Sequence, residues 1–295
     1  MIGVLFIILA CALWAVDTLI RYPLIYGGMS AWTIVFTEHL ILFAIFLPFY
    51  FKDRQRIWNA KLSHIFYFII IGAIGSSMST LAFTRAFSLL NPSLVILLQK
   101  LQPLFAIVLA RFVLKERINQ HFLVWAGICL VGGILISLND LAPLFQKSEI
   151  STSLLGYGLA LLAVAGWGSS TVFGKKLSLE GYNEKEIMGG RFLFGFLSFL
   201  PFLTSPVMAM PFPETGVVWS KIIIMVGLSG LLGMFFYYQG LKRIPAKLCA
   251  LAEMFFPFCA ISVNWIFLNA TLEPIQIVGA GLLLLGSTVI QLKQY

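Results

Sequence analysis

Charge is what this chain has least of. Only 11% of its 295 residues are Asp, Glu, Lys or Arg, while 60% are hydrophobic. Its mean hydropathy of +0.95 means more apolar side chain than one water-soluble core can hide, which excludes a soluble globular enzyme or regulator. Histidine occurs three times and cysteine four times. Cys11, Cys129, Cys249 and Cys259 all fall inside apolar runs without paired spacing, so they read as small core residues and not as a disulfide framework or a metal site. The chain contains no HExxH, no GxSxG and no P-loop pattern, and hence no motif for metal-assisted hydrolysis, for a nucleophile elbow or for direct use of ATP. Neither enzyme activity nor a cofactor nor a metal is expected. No polar stretch is long enough to fold into a basic module, so the net charge of +8 reports membrane orientation and contact with anionic lipid, not nucleic acid.

Long apolar runs are what the chain has in abundance. Ten of them lie near 2–22, 31–51, 64–87, 92–114, 120–138, 154–174, 186–205, 219–241, 247–268 and 274–292, each about long enough to cross a hydrocarbon layer. A lipid-facing backbone must satisfy its own hydrogen bonds and the alternation of a barrel strand is missing, so the expected class is an all-α integral membrane protein of ten transmembrane helices. The opening MIGVLFIILACALWA lacks a basic flank and reads as the first helix. With a cytoplasmic N-terminus, fourteen Lys and Arg fall on the inner side and four (Arg21, Arg85, Lys147, Lys221) on the outer, leaving Lys100 and Arg191 within spans. Both termini then lie in the cytoplasm.

The chain also repeats. Trp14 in ALWAVDTLIRYPL returns 153 positions later as Trp167 in AGWGSSTVFGKKL, and Pro48 returns as Pro201 at the same offset. Further on the offset is 154: FTRAFSLLNPS answers YYQGLKRIPAK, and Pro103 answers Pro257. Residues 1–140 and 154–295 are thus expected to be two five-helix repeats, joined on the outer face by a polar linker at 141–153. An odd number of spans per unit inverts the second against the first, the plan of many secondary transporters.

The tryptophan-plus-small-residue openings (LWAVDT, GWGSST), the turns FTRAF and YYQGL, the mid-span prolines in LQKLQPLF and AEMFFPFC, and LKERIN before a glycine-rich helix together resemble the EamA-type members of the drug/metabolite transporter superfamily. The resemblance spans both halves. It implies ten helices as inverted five-helix repeats, a central cavity near the bilayer midplane, and movement of small organic solutes by alternating access.

Ionisable groups inside a span cost roughly 2.5–3.5 kcal/mol each on insertion scales, so each marks a pair or a watery cavity. Asp17, Glu38 and His39 fall in outer half-spans, Lys100 near mid-span, Arg191 and Glu253 in inner half-spans. Depth couples Glu38 with Lys100 and Glu253 with Arg191, either as structural staples or as contacts for a charged or zwitterionic solute. Glu38, His39 and Glu253 are the proton-coupling candidates. Gln99 and Gln102 share one helical face with Lys100 about 100° away, a group that lines something polar. Trp14 and Trp167, deep in the first and sixth helices, either pack or form aromatic walls for a ring or an organic cation. Pro103 and Pro257 each free a backbone carbonyl and are either hinges or static kinks. The expected substrate site is therefore Trp14, Asp17, Glu38, Gln99, Lys100, Gln102, Trp167, Arg191 and Glu253. The expected activity is secondary active export of small metabolites such as amino acids or related zwitterions across a bacterial inner membrane. The alternatives are transport of organic cations or drug-like amines, or passive facilitation. The expected partners are the solute, the lipid bilayer and protons. Small-residue faces serve folding or dimer contacts equally, leaving monomer and homodimer open.

Overall fold

The structure, a computed structural model, describes residues 2–52, 60–115, 120–141, 152–203, 212–241, 243, 252 and 255–293. Most of the linker expected at 141–153 lies outside them, as do Cys249 and Glu253. Among the described residues the chain is helical throughout, without strands. We number the rods α1 (Ile2–Tyr26), α2 (Ala31–Lys52), α3 (Leu62–Ala86), α4 (Pro92–Val113), α5 (Gln120–Leu141), α6 (Thr152–Leu179), α7 (Glu184–Leu197), α8 (216–241), α9 (Phe255–Leu268) and α10 (Pro274–Lys293). Six of them, α1, α2, α3, α4, α6 and α8, are long and apolar enough to cross a membrane. The exposed surfaces of the rods are apolar too: Leu5, Phe112, Leu123, Leu162, Ile224 and Ile266, on α1, α4, α5, α6, α8 and α9, are all exposed. A helix that is hydrophobic on every side suits a lipid surround and not water.

Local chemistry sets where the rods begin. Asn91 Oδ1 accepts the Ser93 N–H at 2.8 Å, with Pro92 as the first helical residue of α4, a position where a missing N–H costs nothing. At α7, Asn183 and Glu186 cap each other's backbone N–H groups at 2.9 and 2.7 Å, a reciprocal box that stops the chain unwinding at a loop. Two features fall at corresponding places in the two halves. The residues with positive φ are Gly28 (92°), Gly181 (87°), Lys115 (58°) and Asn269 (52°), which are two pairs separated by 153 and 154 positions. Wider, π-helical turns occupy Ile70–Met78 in α3 and Val226–Gly233 in α8, again near the same offset. Such turns are rare and are enriched at functional sites.

Packing follows the same correspondence. In α5 and α10, a Cβ at Gly132 would stand 2.6 Å from Gly279 O, and one at Gly286 would stand 2.9 Å from Trp125 O, so the helices run antiparallel with backbones close enough to admit only glycine. Between these two contacts, Cys129 Sγ donates to Leu283 O at 3.6 Å, and 283 is the counterpart of 129. The α2/α7 pair is likewise antiparallel. Phe46 meets Phe192 at 5.0 Å and His39 meets Phe199 at 5.6 Å, while Phe43 stacks on its own counterpart Phe196 at 4.6 Å with the rings 12° apart. Helix α1 lies against α8 as α6 lies against α3: Trp14 beside Gly233 and Ile7 beside Gly240 in one pair, Gly166 beside Ser79 and Ser170 beside Gly75 in the other.

Candidate functional site

Asp17 and Arg21 are one helical turn apart on α1, so both point the same way. Arg21 is 4% exposed, and every N–H of its guanidinium is used. Nε donates to Asp17 Oδ2 at 2.6 Å and Nη2 to Asp17 Oδ1 at 3.0 Å. Nη1 and Nη2 both donate to Glu38 Oε2 of α2 at 3.0 Å, and Nη1 also to Thr84 Oγ1 of α3 at 3.1 Å. Helix α8 joins through Ser229, whose hydroxyl donates to Asp17 Oδ1 at 2.8 Å and whose carbonyl accepts Trp14 Nε1–H at 3.1 Å. One cation and two carboxylates thus tie four helices together and carry a formal charge of one minus. This arrangement corrects two expectations. Arg21, assigned to an outer loop by the charge count, is a buried helical residue because α1 continues to Tyr26. Glu38 pairs with Arg21 and not with Lys100, since equal depth says nothing about which way a side chain faces.

The corresponding positions 153 or 154 residues away hold Ser170 for Asp17, Gly174 for Arg21, Arg191 for Glu38, and Gly75 in place of Ser229. Arg191 Nη1 donates to Ser170 Oγ at 3.3 Å and Nη2 to Gly75 O at 3.1 Å. Its other expected partner, Glu253, is outside the described residues. Nearby, His39 is fully buried. Its Nδ1 lies 2.8 Å from Val35 O, which can only accept, so in the neutral ring Nδ1 carries the hydrogen and Nε2, 3.1 Å from Ser76 Oγ, accepts. That is a satisfied imidazole turned toward α3 and away from Arg21. His64 is also buried, with Nδ1 3.1 Å from the Tyr182 hydroxyl.

A second patch of α1 centres on Trp14. Trp14 sits 5.5 Å from the Tyr237 ring of α8 and 6.4 Å, edge-on, from the Phe256 ring of α9. Lys100 Nζ of α4 lies 4.8 Å over the other participant, Phe256, an attractive placement of a cation on a ring face. Lys100 and Gln99 stand on a tight 3-10 turn, Gln99–Leu101, that interrupts α4 just before Pro103. The Gln99 Oε1 atom is buried and accepts no hydrogen bond, although a buried amide oxygen is costly to leave unmatched. Gln102 is half-buried, with its carbonyl toward Gly168 of α6. Trp167 meets Phe83 at 5.0 Å, the counterpart of the Trp14–Tyr237 contact. Pro257 is buried in the first turn of α9. Tyr237 and Phe256 were not among the expected contacts: Tyr237 lies near the end of its expected span, and nothing in the sequence singles out Phe256 from the other aromatic residues of its span. Among the described residues no cluster of His, Cys, Asp and Glu has the geometry of a metal site.

A model of the EamA-like transporter family matches residues 1–138 and again residues 154–292. The chain belongs to the EamA-like transporter family. Among curated relatives of this EamA-family chain, the riboflavin transporter ImpX of Fusobacterium nucleatum subsp. nucleatum is 30% identical over 96% of this chain and 95% of that one. An uncharacterized transporter of Clostridium kluyveri is 25% identical over 89% of this chain and 84% of that protein. A crystal structure of a protein 16% identical in sequence superposes with a TM-score of 0.59 over 99% of this chain and 96% of the other, a likeness of fold. This EamA-family chain is thus a multi-pass membrane protein of a transporter family.

Proposed function

We propose that this chain is a ten-span secondary transporter of the bacterial cytoplasmic membrane, built of two inverted five-helix halves with both termini inside, and that its solute is a planar aromatic metabolite, riboflavin first among them. The two separate family matches, the paired positive-φ residues, the paired π-helical turns and the antiparallel counterpart contacts all support the inverted halves. The substrate reading rests on one observation: Trp14, Tyr237 and Phe256, from three helices, form an aromatic group with Lys100 over the Phe256 ring; Gln99, whose buried Oε1 is unmatched among the described residues, precedes Lys100 in α4. Aromatic faces stack on a flat ring, and donors and acceptors at its rim fix its orientation. The named activity of the relative from Fusobacterium points to the same chemistry. Amino-acid zwitterions and organic cations fit less well, because both would seek the carboxylates of Asp17 and Glu38, and Arg21 already holds these.

The test is counterflow of labelled riboflavin in proteoliposomes. We expect saturable exchange, competed by other flavins and not by amino acids, with KM raised by Phe256→Ala. Exchange of amino acids but not of flavins would overturn the substrate assignment. Movement that never exceeds equilibration under any imposed gradient would make the protein a facilitator.

A further inference from the structure

We infer that Glu38, held with Asp17 on the single guanidinium of Arg21, is a one-proton binding site that couples proton movement to transport; this rests on the transport reading above. Two carboxylates share one cation in a buried cluster, leaving one negative charge uncompensated. Burying an uncompensated charge is expensive, and a single added proton cancels it.

The geometry says which carboxylate takes the proton. Asp17 accepts from Arg21 on both its oxygens, Nε on Oδ2 and Nη2 on Oδ1, and Oδ1 also faces the Ser229 hydroxyl, whose single hydrogen has Met225 O as an equally near acceptor at 2.8 Å. Glu38 accepts two, both on Oε2, so its Oε1 is an acceptor with no hydrogen bond among the described residues. Exposure does not separate the two acids, the Glu38 side chain keeping 12% of its surface and that of Asp17 14%, so the open Oε1 decides. A proton arriving from the outer water therefore adds to Glu38 Oε1, converts carboxylate to neutral acid, and brings the cluster from one minus to zero while Asp17 retains Arg21. The ion pair between α1 and α2 is lost in that step, which frees α2 to move relative to α1.

The other groups facing Glu38 do not compete for the proton. From α1 they are Asp17 and Arg21; α3 contributes the hydroxyl of Thr84, and α8 the hydroxyl of Ser229. His39, the next residue on α2, is directed to Val35 O and Ser76 instead. The described residues of α9 that pack on α1 include no acid or base other than Cys259. In the corresponding cluster Ser170, Gly174 and Arg191 include no carboxylate, and Glu253 lies outside the described residues.

The protonated carboxyl has its own infrared stretch, which needs no substrate to observe. In purified protein held in lipid nanodiscs and taken from acid to alkaline pH, the surface acids contribute titrating carboxyl bands of their own, and we expect one further component that Glu38→Gln removes and Glu38→Asp keeps at a displaced frequency. A set of titrating bands that is identical in wild type and folded Glu38→Gln overturns the proton site and leaves the transport reading standing. In proteoliposomes, wild-type protein is expected to concentrate riboflavin when a pH gradient is imposed. Riboflavin exchange that ignores the gradient overturns the coupling alone. Failure to exchange any flavin would remove the functional reading itself, and the coupling with it.

Discussion

The α1/α8 contact and the α6/α3 contact are the same packing solution with opposite electrical content. In the first, Asp17, Arg21 and Glu38 form a cluster with formal charge one minus, latched to α8 by Ser229. In the second, Ser170 and Gly174 replace two of the charges and Arg191 stands where Glu38 would be, bound to a hydroxyl and a backbone carbonyl. Yet Trp14 meets Tyr237 as Trp167 meets Phe83, with ring separations of 5.5 and 5.0 Å. Backbone shape and aromatic packing are therefore held in common while the polar groups differ. The packing is shared between the two contacts; the charge they hold is not.

Breaking the charged member should do the most damage. Arg21→Met strands two buried carboxylates and should destabilise the protein by about 3–5 kcal/mol, visible as a large drop in thermal midpoint in detergent. Adding Asp17→Asn and Glu38→Gln should restore most of that loss. Next in size, Gly75→Val places side chain against Ser170, where even a Cβ would lie 2.4 Å from the Ser170 Cβ. Overpacking of this kind should cost about 1–3 kcal/mol, and Gly227→Val, with open space around its Cβ, should cost much less in the same assay. To sharpen the aromatic comparison, Trp14→Ala should raise the KM for riboflavin about tenfold, equivalent to ~1.4 kcal/mol, while Trp167→Ala changes it little. Equal effects would mean that the two walls are used alike. Smallest of all, Ser229→Gly makes α8 resemble α3 at this point and removes one hydrogen bond to Asp17, an expected loss of about 1 kcal/mol in stability.

How much of this was legible in the sequence depended on the kind of information required. Helical class, most span limits and the correspondence of Trp14 with Trp167 follow from hydropathy and spacing, which are one-dimensional. Arg21 was misplaced because a charge count puts every cation near a span end into the loop. The signal that would have found it is its i,i+4 spacing from Asp17 on an apolar helix. The supposed Glu38–Lys100 couple failed for want of azimuth: the two residues are similar in depth, but one faces α1 and the other the Phe256 ring. The π-helical turns leave only glycine and serine in GAIGSS and GLSGLLG as a trace, and such residues also serve plain close packing. The meeting of Trp14, Tyr237 and Phe256 joins parts of the chain more than 220 residues apart, a contact that no local pattern encodes.

Phe43 on Phe196 and Cys129 beside Leu283 are positions that face their own twins. Such a spot exists once in the molecule, and whatever occupies it must fit a neighbour subject to the same demand. On the inverted-repeat plan proposed above, every niche away from that line exists twice, so one copy can keep the architecture sound while the other is free to acquire acids, bases or a new pocket. That freedom explains why the ionisable residues lie to the side of the line, where asymmetry is tolerated, while aromatic stacking and sulfur contacts occupy it.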